Sequence, residues 1–188
     1  EYLEEASKKM SFPNNKEDYN NIITVLVSSA YELCKINDYD KNELLMQFAS
    51  DGSFDELKDL LNQDDVNIDY VAPNSWTPLL IATANGHYKA VQLLLDKAAE
   101  PNLTNAYGAS ALHFASKYGK KSLCRLLLKY NADINLADMK GETALMKAVQ
   151  ENFFNIVELL IENNADVSLI DHSNMSALNY AKKNKNGK

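Results

Sequence analysis

The 188-residue sequence predicts an all-α solenoid, built of stacked helix–turn–helix units behind an amino-terminal helical extension. Three observations predict it. From Ala72 to its end the chain matches itself at an offset of 33 residues. Each full unit carries two apolar runs at helical spacing with a glycine or asparagine between them. One unit alone has no partner for its apolar faces, so neighbours must bury them, and stability becomes a nearest-neighbour property.

Composition narrows the alternatives. With 46% hydrophobic and 24% charged residues the chain is globular in character. Six glycines, four prolines and two cysteines exclude a collagen-like chain and a disulfide-stapled scaffold. Apolar stretches such as Leu79 to Ala82 fall far short of the roughly 18 residues of a membrane span. The 26 acids against 19 bases give a net charge of -7, which disfavours nucleic acid as a partner. Cys34 and Cys124 lack metal or redox spacing and read as buried reduced thiols, so a cytoplasmic home is expected, with the nucleus as the alternative.

Residues 1–38 show no repeat. Within Glu17 to Ile36, residues Tyr19, Ile22, Ile23, Leu26, Val27, Ala30, Leu33 and Cys34 form an amphipathic stripe. It is expected either to cap the first unit or to meet a neighbouring domain or a second copy. Residues 39–71 are a degenerate unit: Asn42 to Gly52 gives a first helix and Phe54 to Leu61 a second, with acids on the outside as a terminal cap requires.

The units 72–104, 105–137, 138–170 and 171–188 share landmarks with definite work. The hydroxyls of Thr77, Ser110, Thr143 and Ser176 stand where first helices begin and serve as N-caps. Two residues earlier come Ser75, Gly108, Gly141 and Asn174, where glycine and asparagine suit a left-handed turn; Ser75 predicts a distorted one. Leu79, Leu112, Leu145 and Leu178 recur with Ala82, Ala115, Ala148 and Ala181 in the layer between units. Gly86, Gly119 and Asn152 separate first from second helices. The last unit stops before a second helix, and Lys182, Lys183, Lys185 and Lys188 read as a solvated tail.

Thr77-Pro78-Leu79-Leu80, Ser110-Ala111-Leu112-His113 and Asn131-Ala132-Asp133-Ile134-Asn135, repeated in register, resemble the ankyrin repeat family. The resemblance implies hairpin tips between units, and a histidine at His113 that ties neighbours together. Because the other units lack that histidine, their junctions are expected to be held mainly by packing.

No phosphate loop, nucleophile elbow or zinc motif is present, and His87, His113 and His172 are scattered, so no enzyme and no cofactor are expected. Binding remains. The resemblance implies a protein partner, met by a monomer through hairpin tips and the concave face of first helices. Mapped here, that strip offers Asn74, Trp76, Tyr107, Met139, Lys140 and Glu142 at the tips, and Asn85, Lys117, Tyr118 and Glu151 on the helices. Trp76, Tyr107, Tyr118 and Met139 are the anchors of choice because interface energy concentrates in large side chains. For Trp76 the competing reading is burial against the preceding unit or the amino-terminal helix. Asp51 to Asp69, with seven acids and one lysine, would steer a basic partner segment. A scaffold or adaptor is therefore expected; the alternative is the regulatory or targeting part of a larger enzyme, channel or lipid-binding protein.

Overall fold

The chain divides into two units, Glu1–Asp40 and Lys41–Lys188. A computed structural model describes residues 40–186, with side chains as far as Asn184, and so portrays the second unit. The segments Glu1 to Met10 and Glu17 to Ile36, with Cys34, lie outside the described residues, as does the end of the lysine tail.

The described residues form nine helices in chain order: α1 (Lys41–Asp51), α2 (Phe54–Leu60), α3 (Pro78–Asn85), α4 (Tyr88–Asp96), α5 (Ala111–Lys117), α6 (Lys121–Lys129), α7 (Ala144–Gln150), α8 (Phe154–Glu162) and α9 (Ala177–Asn186). First helices α1, α3, α5, α7 and α9 pack successively on one another, and second helices α2, α4, α6 and α8 form a parallel layer. Leu79, Leu112 and Leu145 are buried between units with Ala82, Ala115 and Ala148, whose small side chains let the helices approach. Leu178 stands at the same repeat position but is 59% exposed, because no second helix covers it among the described residues.

Local chemistry sets the helix ends. The Thr77 hydroxyl accepts from Leu80 N–H at 3.2 Å, and the Thr143 hydroxyl from Met146 N–H at 3.4 Å. The Ser176 hydroxyl accepts from Asn179 N–H at 3.3 Å, while the Asn179 side chain takes the Ser176 N–H at 2.9 Å. Gly86, Gly119 and Asn152 adopt φ of 82°, 71° and 61° and turn each first helix into its second.

The hairpin tips are each closed by one antiparallel bridge, Thr104 to Ser110, Ala137 to Thr143 and Ile170 to Ser176. In the earliest full unit the Ala72 N–H to Trp76 carbonyl bond, 2.9 Å, does this work. Ser75 corrects one expectation: it reaches φ 64°, in line with Gly108, Gly141 and Asn174, so its turn keeps the shared form and bears the strain of a side chain there.

Polar ties correct another. Nε2 of His113 donates to the Glu142 carbonyl at 3.0 Å, as the resemblance implied. Junctions without that histidine are nevertheless hydrogen-bonded. The side chains of Asn85 and His87 both donate to the Ser50 carbonyl, at 2.8 and 2.9 Å. Backbone N–H groups of Glu100, Asp133 and Asp166 donate to the side chains of Asp69, Asn102 and Asn135 at 2.7–3.0 Å, one rung at each of the first three junctions. Asn184 donates to the Val149 carbonyl at 2.8 Å. Packing therefore does not act alone, because each junction leaves orphaned backbone groups that must find partners.

Candidate functional site

The tips of successive units touch through their backbones. Met139 N–H donates to the Tyr107 carbonyl and His172 N–H to the Lys140 carbonyl, both at 2.9 Å. This requires glycine at the turn behind: a Cβ on Gly108 would sit 2.9 Å from Met139 N, and one on Gly141 3.0 Å from His172 N. The preceding tip carries Ser75 at that position, and among the described residues Ala106, the counterpart of Met139, makes no such bond. Ser75 carries the side chain that Gly108 and Gly141 lack at this position.

Between the tips lies a groove of about 450 Å³ lined by Trp76, Tyr107, His113, Phe114, Lys117 and Met139 among others. Trp76 and Phe114 come from consecutive units and meet with ring centroids 4.9 Å apart and planes tilted by 35°. Tyr118 continues the series, 6.2 Å from Phe114. Trp76 and Phe114 are half-buried, whereas Tyr107 and Met139 stand 74% and 67% exposed over the groove. Trp76 thus has one face on the following unit and a residual exposed surface.

The polar wall is spoken for. His113 sits buried at the back; burial holds its pKa below the usual histidine value. Nε2 donates to the Glu142 carbonyl, leaving Nδ1 to accept from Ser110 N–H at 3.2 Å, so the ring is neutral with its proton on Nε2. The Lys147 ammonium bridges Asp138, at 2.8 Å, and Glu142. Glu142 also accepts from Gln150, and from the Tyr180 hydroxyl at 3.3 Å. Burial pushes the Asp138 and Glu142 pKa values up, but Lys147 and the hydrogen bonds outweigh it and hold both below the usual carboxylate range. Asp138 takes the Lys140 and Glu142 N–H groups as well, at 2.8 and 2.9 Å. Tyr180 donates to Asp171, which pushes the phenol up to about 12.

The expected site residues divide accordingly. Trp76, Tyr107, Lys117, Met139 and Lys140 come together at the groove. Tyr118 flanks it through Phe114, and Asn74 and Glu151 are exposed on the tip and helix faces. Asn85 spends its amide on the junction with Ser50. Glu142 departs from the expectation of an exposed tip residue: it is 7% exposed, and both carboxylate oxygens are engaged inside the array. The reading of the sequence missed Phe114, Lys147 and Tyr180. A signal existed, since Ile81, Phe114, Lys147 and Tyr180 occupy one repeat position whose chemistry changes in every unit, while the residue two before it stays leucine and the residue after it alanine.

Cys124 is buried, and burial pushes its thiol up to about 11. Among the described residues no cluster of three or more His, Cys, Asp or Glu could hold a metal ion, and no helix is long and apolar enough to cross a membrane.

The stacked helix pairs and their hairpin tips define a module of the helical repeat class. The chain belongs to the ankyrin repeat family: the family model for ankyrin repeats (3 copies) matches residues 14–105 and 98–171. The first match begins inside the stretch read from the sequence as an extension. Among its relatives, the human NAD-capped RNA hydrolase NUDT12 is 32% identical over 86 residues, 44% of this chain and 19% of the hydrolase. The Caenorhabditis elegans homolog of transient receptor potential cation channel subfamily A member 1 is 36% identical over 83 residues, 43% of this chain and 7% of the channel. The putative ankyrin repeat protein YahD of Escherichia coli is 37% identical over 73 residues, 36% of each chain. The chain thus spans only a small part of these relatives.

Proposed function

We propose that the array docks its protein partner along the concave strip, with Trp76, Phe114, Tyr107 and Met139 as anchors. The observation that carries this reading is the groove itself: two largely exposed side chains, Tyr107 and Met139, stand over a floor made by the Trp76–Phe114 stack. Large apolar side chains held at a surface by rigid helices and hydrogen-bonded tips bind with little ordering cost. Lys117 and Lys140 flank the groove.

Photocrosslinking tests the reading. A benzoylphenylalanine placed at Tyr107 or Met139 should trap a protein in lysate of the source cells, whereas the same group at Arg125 on second helix α6 should not. Trapping from position 125 alone would move the docking surface to the other layer. A second reading, that the array targets or regulates a longer enzyme or channel, is favoured by the small share of the hydrolase and the channel that it matches. The length of the native open reading frame decides between an adaptor standing alone and such a segment.

A further inference from the structure

The geometry points to an acidic peptide segment carrying a large apolar side chain as the occupant of the groove between the Trp76 and Met139 tips. This deepens the docking reading above and rests on it.

Charge complementarity carries the inference. The chain bears a net charge of -7, yet the groove is lined by Lys117, Lys140 and Lys147 against a single carboxylate, Asp138. Asp138 is not available to a partner. Its carboxylate is 8% exposed, bridged by Lys147 and already accepting two backbone N–H groups. Lys147 is neutralised in turn by Asp138 and Glu142. What remains is Lys117 and Lys140, both exposed and neither within ion-pairing distance of a carboxylate among the described residues. Lys117 lies 5.7 Å over the Tyr118 ring, placing its ammonium at the aromatic edge of the groove. Lys183, exposed on α9, stands at the Lys117 repeat position two units later, with the uncharged Gln150 at that position between them.

The groove therefore offers a partner hydrogen-bond donors of positive charge beside an apolar floor. A basic segment would bury lysine against lysine, and a neutral one would leave both ammonium groups without counter-charge. A peptide whose carboxylates reach Lys117 and Lys140 while an aromatic or aliphatic side chain seats on Trp76 and Phe114 satisfies both chemistries. The acids of Asp51 to Asp69 belong to the first described unit, away from the groove-lining residues, so the array presents one sign of charge there and the other here.

The test is a displayed library of random twelve-residue peptides, selected on the full chain and on its Trp76→Ala/Phe114→Ala and Lys117→Gln/Lys140→Gln variants. Expected from the wild type are sequences rich in Asp and Glu next to Phe, Trp or Leu, lost on the ring variant. On the lysine variant their affinity should fall about tenfold, the worth of two surface ion pairs. It should also weaken between about 50 and 500 mM salt. Trp76 is the sole tryptophan, so its emission reports occupancy directly. Ring-dependent sequences without acidic enrichment would overturn the inference and leave the docking surface standing. Binders insensitive to the ring variant would overturn both. A dT12 oligonucleotide that displaces the peptide with equal affinity would replace the acidic peptide with nucleic acid as the occupant.

Discussion

The rings of Trp76 and Phe114, contributed by consecutive repeats, lie 4.9 Å apart between centroids and form the floor of the concave groove. Such a pair contributes about 0.5–1.5 kcal/mol beyond the area it buries. Phe114→Ala should therefore destabilise the array by about 1 kcal/mol or more and shift the Trp76 emission to longer wavelength. Unchanged emission would mean that the indole rests on some other surface.

The leucine column gives a test that periodicity alone does not. Leu112 and Leu145 are 1% and 2% exposed, so truncation to alanine should cost about 2–5 kcal/mol in denaturant unfolding. Leu178 occupies the same repeat position but stands largely in solvent, and Leu178→Ala should cost under about 0.5 kcal/mol. Equal losses at all three would show that a further helix covers α9.

Two residues carry strain that the repeat elsewhere avoids. Ala98 holds φ 68° where the following units place Asn131 and Asn164, and Ser75 holds φ 64° where two of them place glycine. Ala98→Gly and Ser75→Gly should each raise stability by up to about 1 kcal/mol, since the side chain is penalised in the left-handed region. Ser75→Gly has a second consequence: without the Cβ the Ala106 N–H can approach the preceding tip, and its hydrogen exchange should slow. Exchange left unchanged would show that the Ser75 side chain is not what denies the Ala106 N–H this bond.

Acid should act on the junction at His113 before it acts on the carboxylates. Burial lowers the folded pKa of His113 below its ordinary 6.5, so the unfolded chain takes up the proton first. The stability this residue contributes is complete above that value and is lost as pH falls below it. Asp138 and Glu142, lowered from 3.8 and 4.5, contribute stability above those values and lose it only as pH falls through their lower folded values. Unfolding free energies from about pH 7 to 5 should thus decline in the native chain and flatten in His113→Gln. A nitrogen-15 NMR titration placing the folded His113 pKa at or above 6.5 would contradict this.

Much of the architecture follows from the sequence because its causes are local. Hydroxyls at Thr77, Thr143 and Ser176 cap helices through N–H groups three residues on, and Gly86, Gly119 and Asn152 turn one helix into the next, so the 33-residue register marks both ends of each element. The site was legible in part for the same reason. Trp76, Tyr107 and Met139 are tip residues by register, and the tips do bring them together.

Tertiary structure decided the remainder. Glu142 is a tip residue by register, yet it is drawn inside because Lys147, Gln150 and Tyr180 converge on it from its own and the following repeat. Phe114 becomes the floor of the groove only because Trp76 arrives from the unit before. Leu178 is bare because no adjacent unit covers it among the described residues. The sequence by itself determined the repeat, the helix boundaries and the turns, which each unit encodes within its own few residues. Exposure, charge balance and the shape of the groove belong to pairs of units, because in a solenoid every surface is finished by its neighbour.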